Sequence, residues 1–91
     1  MINSYVVRSM NTAFRIIDNN ATILSPEEGI LHSLNEVGTR IWELADGKMT
    51  IKEIIYIICN EYNVEEDVAK KEVCDFVKEL CNKKLIVLEM I

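Results

Sequence analysis

The side chains in this chain that could do chemistry are one histidine, three cysteines and a few adjacent carboxylates. A histidine titrates near neutral pH and can serve as base, acid or metal ligand. His32, however, is the only one, so no second imidazole is present to complete a metal site or activate a thiol. A zinc site normally takes three or four Cys, His or carboxylate ligands. Cys59, Cys74 and Cys81 are scattered and form no C-x-x-C pair. Cys74 and Cys81 are seven apart and share one side of a helix, where they read as small apolar residues at a core margin. Glu27-Glu28 falls in a turn and Glu65-Glu66-Asp67 at a helix start, both solvated settings. Gly29, Gly38 and Gly47 are too widely spaced for a phosphate-cradling loop, and Trp42 reads as a core anchor. The chemistry therefore predicts no catalytic centre, no metal and no cofactor: a small domain that is not an enzyme.

The rest of the composition fits that reading. The chain has 91 residues, about half of them apolar, with a formal net charge of -5. That is enough for one domain, residues 1–91, around one core. The negative balance argues against nucleic acid, where affinity comes from Lys and Arg on phosphates. No stretch has the pattern of a signal peptide or the length of a membrane span. The odd number of dispersed cysteines reads as reduced thiols, predicting a cytoplasmic protein with no membrane contact.

The elements that must position any binding surface are arranged around Leu34 to Leu44. Asn35 is a good N-cap, since its side-chain oxygen can accept a first-turn amide. Leu34, Val37, Ile41, Leu44 and Ala45 recur at helical spacing, with Trp42 beside them. Asp46-Gly47 supplies a stop. Upstream, Ala13 to Asp18 and Ala21 to Ser25 read as strands joined at Asn19-Asn20. A Pro26 to Gly29 turn follows, then a third strand over Ile30 to Leu34. Tight connections make this an antiparallel meander with the third strand at one edge. Phe14, Ile16 and Ile23 fall on one face, Ile17 and Leu24 on the other. Tyr5-Val6-Val7 reads as a short strand within a weakly patterned start.

Downstream, Thr50-Ile51-Lys52-Glu53 is a capping box opening a second helix. Its inward face is Ile51, Ile54, Ile55, Ile58 and Tyr62. A third helix runs from about Glu65 to Lys83, with acids at its start and lysines at its end. Ala69, Val73, Phe76, Val77 and Leu80 are its core stripe. Leu85 to Ile91 reads as a short strand or packed tail. The class is α+β: a three-stranded antiparallel sheet followed by three helices.

The block Leu34-Asn35-Glu36-Val37-Gly38-Thr39-Arg40-Ile41-Trp42-Glu43-Leu44, then Asp46-Gly47 and Thr50 to Ile54, resembles the PqqD family. The upstream turn Ser25 to Gly29 does so too, as do Glu61-Tyr62, Val73, Phe76, Val77, Leu80 and Leu85. The resemblance implies a winged-helix-like bundle of the three helices beside the sheet. It also implies a peptide chaperone that binds the leader of a ribosomal precursor peptide and presents it to a modifying enzyme, such as a radical SAM maturase or a peptidase. In that family the leader adds as a strand to the third strand and lies against the third helix. Two departures concern the quinone pathway and leave the peptide-binding class untouched. Lys84 stands where the family often has glycine, and the basic, tryptophan-containing start is not evident.

An open strand edge suits this role, because an added strand takes affinity from main-chain hydrogen bonds and specificity from side-chain pockets. The expected peptide-binding residues are Leu31, His32 and Ser33 on the strand, with Lys71, Cys74, Val77 and Lys78 on the third helix. They would form an apolar floor with a basic rim. Two alternatives remain open. Three helices after strands can build a winged-helix transcriptional regulator, although Arg8, Arg15 and Arg40 all lie outside the last two helices. A non-catalytic subunit of a larger enzyme would need a similar surface.

Overall fold

The computed structural model describes residues 2–10 and 12–90. Met1, Asn11 and Ile91, the outer residues of the segments expected at the two ends, lie outside the described residues. The elements in chain order are β1 (Tyr5–Arg8), β2 (Ala13–Ile17), β3 (Asn20–Leu24), β4 (Leu31–Ser33), α1 (Glu36–Leu44), β5 (Asp46–Thr50), α2 (Ile51–Tyr62), α3 (Glu66–Asn82) and β6 (Ile86–Glu89).

The expected meander is the sheet β2-β3-β4, antiparallel throughout, with β4 at one edge and β2 at the other. Its first turn is Asp18-Asn19, not Asn19-Asn20, because Asn20 already pairs with Ile17. Both turn residues have positive φ, 52° and 65°, the primed geometry whose twist matches a hairpin. Phe14 pairs with Ile23 and Ile16 with Ala21, so these side chains share a face. That face meets the helices: Ala21 and Ile23 are fully buried, and Phe14 stands edge-on to Trp42 at 5.5 Å. Ile17, Leu24 and Leu31 are exposed.

A second three-stranded sheet, β5-β1-β6, goes beyond the single sheet expected. β1 is its centre and pairs antiparallel with both neighbours. The strand at Asp46–Thr50 falls where the sequence reads as a helix stop and a cap. The cap is present, since Thr50 caps α2 with the full reciprocal box, but α1 ends on Ala45 at φ -81° and Gly47, at φ +85°, lies within β5 and not at the helix stop. The pairing with β1 is imposed by the fold on residues of low strand propensity, with an irregular register between Tyr5 and Val7.

α1 joins these layers. Asn35 caps it by accepting the Gly38 N–H at 2.8 Å. Trp42 is completely buried, and losing an aromatic side chain from such a position costs about 3–5 kcal/mol. Thr39 Oγ1 accepts the Ala21 N–H at 2.8 Å and so fixes α1 to β3. Arg8 Nη1 donates to the carbonyls of Trp42 and Glu43 at 2.8 and 3.2 Å; these are last-turn acceptors of the helix end, and the Trp42 carbonyl also accepts the Ala45 N–H at 3.2 Å. The guanidinium also lies over the Phe14 and Trp42 rings. α2 and α3 pack together through Ile54, Ile58, Val73 and Val77 among others.

α3 ends in a double hydrogen bond that turns the chain into β6. Leu85 N–H donates to the Leu80 carbonyl at 2.9 Å and Lys84 N–H to the Cys81 carbonyl at 3.0 Å. This is the Schellman arrangement, with Leu80 and Leu85 buried together. Lys84 takes the left-handed position at φ 61°, the place where glycine is usual.

Candidate functional site

The edge strand β4 is three residues long, and its bonding pattern determines what it can offer. Ser25 N–H donates to Ile30 O at 2.9 Å, and Leu34 N–H donates to Ala21 O at 2.8 Å. In an antiparallel ladder, hydrogen-bonded and non-bonded pairs alternate. The register pairs Ile23 with His32, Thr22 with Ser33 and Leu24 with Leu31. His32 is therefore bonded to β3, while the amide and carbonyl groups of Leu31 and Ser33 point to the open edge.

That edge borders a groove of about 390 Å³ between β4 and α3. Leu31, His32 and Ser33 form one side, Phe76, Glu79, Leu80 and Lys83 the other, and Leu34, Asn35 and Gly38 the end beside α1. The His32 side chain shares the inward face of Ile23. Its Nε2 is buried with no hydrogen-bond partner among the described residues. Leu31 faces outward and is 66% exposed. Gly38 lets the Phe76 ring lie close against α1.

The structure brings the three expected strand residues to this groove but not the four expected helix residues. Val77 and Lys78 line a separate hollow with Cys81, Asn82 and Leu88. Lys71 is exposed and paired with Asp75 at 3.0 Å. Cys74 packs against the core margin. The reason is the rotation of α3. Its core stripe has two flanks, and the one turned to β4 carries Phe76, Glu79 and Lys83, opposite to the Cys74 and Cys81 flank. The expected basic rim is thus replaced by Glu79 with its bonded partner Lys83, at 2.9 Å. The helical spacing predicts Phe76 wholly in the core, yet it is half-buried and forms part of the groove wall.

A larger hollow of about 510 Å³ lies across the molecule between α2 and the start of α3, lined by Ile55, Tyr56, Cys59 and Lys70 among others. It borders no strand edge, so it offers an extended chain no main-chain partners. Burial pushes the Cys81 thiol up from its ordinary value, which disfavours the reactive thiolate. Among the described residues, no group of three or more His, Cys, Asp or Glu side chains is placed to hold a metal ion, and no helix is long and apolar enough to cross a membrane.

The family described as "Coenzyme PQQ synthesis protein D (PqqD)" matches residues 21–86. Among solved structures, "TbiB1 in Complex with the TbiA(beta) Leader Peptide" is similar at 31% sequence identity and a TM-score of 0.81, covering 88% of this chain and 93% of that one. The solution structure of the PqqD truncation of Methylobacterium extorquens PqqCD is similar at 18% identity and a TM-score of 0.73, covering 90% and 87%. It is described as a functional, stand-alone recognition element for ribosomally synthesized and post-translationally modified peptides. At that identity the second likeness bears on the fold alone. No curated protein matches.

Proposed function

The chain belongs to the PqqD family, and from that premise we propose that it binds the leader segment of a ribosomal precursor peptide and presents it to a modifying enzyme. The leader adds as an extended strand along Leu31, His32 and Ser33, with its inward side chains in the groove against Phe76, Glu79 and Leu80. The observation that carries this reading is the open edge of β4. Leu31 and Ser33 direct main-chain groups that have no partner among the described residues toward a groove walled by a helix, which is what strand addition requires. The similarity to TbiB1, described in complex with a leader peptide, supports it. The chain holds its ligand and does no chemistry on it; the modifying enzyme, a radical SAM maturase or a peptidase, supplies that. The three free cysteines fit a reducing compartment, so we place the protein in the cytoplasm.

A winged-helix regulator has no observation in its favour. Arg8 and Arg40 are engaged within the fold, with Trp42 and Glu61, and neither is on α2 or α3. The test is titration of the chain with leaders of the short precursor peptides encoded beside its gene. Saturable one-to-one binding to one of them is expected. Binding to none, together with retention on double-stranded DNA at physiological salt, would reverse the choice.

A further inference from the structure

The groove continues past β4 along α3 and the start of α1, and its charge changes along the way. Beside β4 the helix presents Glu79, held by Lys83 at 2.9 Å. Beside Asn35, Val37 and Gly38 it presents Glu72 and Asp75. Lys83 is the only lysine or arginine lining either stretch among the described residues. Asp75 is bound to Lys71, but that pair is largely exposed, with side chains 79% and 61% accessible, and an exposed pair of this kind is weak. Glu72 has no ion-pair partner among the described residues. Of the α3 lysines nearest these acids, Lys78 stands on a flank turned away from the groove wall, lining a separate hollow, and Lys71 reaches the groove only through its exposed pair with Asp75.

We propose that the peptide accepted here carries a Lys or Arg just beyond its strand-forming segment, where it passes Phe76 toward Glu72. This inference rests on the proposed function and names the chemistry of its ligand. The strand register gives the spacing. A residue opposite His32 faces inward, and inward positions then recur every second residue at about 3.3 Å per residue. Glu79 and Glu72 are two helical turns apart, about 10 Å along α3. The basic residue therefore falls within about four positions of the one opposite His32. Complementary charge at a groove end would fix the direction in which the peptide enters and reject acidic competitors.

The experiment is selection of a random short-peptide display library against the full-length chain, followed by affinity measurement with the enriched peptides as synthetic probes. The expected winners pair alternating apolar residues with a Lys or Arg on one side. Glu72→Gln with Asp75→Asn, both at exposed positions, should keep the fold and weaken those peptides about tenfold at low salt, with the difference shrinking as salt rises. Winners without a basic residue, winners with an acid in its place, or affinity unchanged in the double variant would overturn the inference while leaving peptide binding intact. No enriched peptide at all, or peptides whose binding survives Ser33→Pro, would overturn the proposed function and this inference with it.

Discussion

Phe76 lies against Gly38 so closely that a β-carbon at position 38 would stand 2.9 Å from the ring's Cε2. The contact sets the depth of the groove where α1 meets α3. Gly38→Ala should push the ring outward into the space a peptide side chain would use. Its stability cost should be small, because alanine gains about 1 kcal/mol of helix propensity over glycine and the half-exposed ring has room to swing. The expected outcome is a change within about 1 kcal/mol in urea unfolding, with peptide affinity falling at least about tenfold. Equal affinity would mean that the Phe76 wall is not part of the site.

Two proline substitutions one residue apart should separate stability from binding. Ser33→Pro removes an amide that points to the open edge, where proline is tolerated, so the chain should fold and lose the peptide. His32→Pro removes a donor to β3 and interrupts the sheet, costing about 3 kcal/mol or more. Thermal melts and peptide titration of the pair check this. The reverse pattern would show the ladder to be out of register by one.

Much of this arrangement is legible in the residues. The Asn35 cap, the Thr50-Glu53 box, the three-stranded meander and the core stripes of all three helices follow from local pattern. The second sheet is less so: Asp46-Gly47-Lys48 has no strand propensity, and only β1 lying alongside makes it one. The groove wall is less legible still. Periodicity on α3 identifies Ala69, Val73, Phe76, Val77 and Leu80 as inward, but it cannot say which flank of that stripe faces β4. The packing of α3 on α2 and β6 decides that, and it turns Phe76 and Glu79 to the edge and Cys74 and Lys78 away.

Lys84 provides a test of the helix end. It holds φ 61° in a Schellman turn, a conformation that costs a residue with a β-carbon about 1 kcal/mol or more. Its ion pair with Glu27, 3.5 Å long and exposed, returns little. Lys84→Gly should therefore raise stability by about 1 kcal/mol in urea unfolding, despite removing a charge pair. A loss of stability would mean that the Glu27 contact matters more than the backbone.

Arg40 and Glu61 form a two-pronged bond between α1 and α2, at 2.7 and 2.8 Å. The hydrogen bonds from Arg40 hold the Glu61 carboxyl below its ordinary value. A carboxyl depressed in the folded state adds stability above its unfolded pKa and loses it as pH falls through the folded one. The pair is partly exposed, so Glu61→Gln should cost under about 1 kcal/mol at neutral pH. The gap between variant and parent should close below about pH 4. A gap that persists in strong acid would assign the effect to packing.

The central claim is that an extended peptide completes the open edge of β4, and backbone amide NMR of the labelled chain with its leader tests it most directly. The account predicts that the Leu31 and Ser33 amides shift and become protected from exchange, with accompanying shifts at Phe76 and Glu79, while His32, already bonded to Ile23, gains no new protection. Changes confined to the β2 edge around Phe14 and Ile16, or to the hollow beside Tyr56 on α2, would contradict it even if the peptide bound tightly.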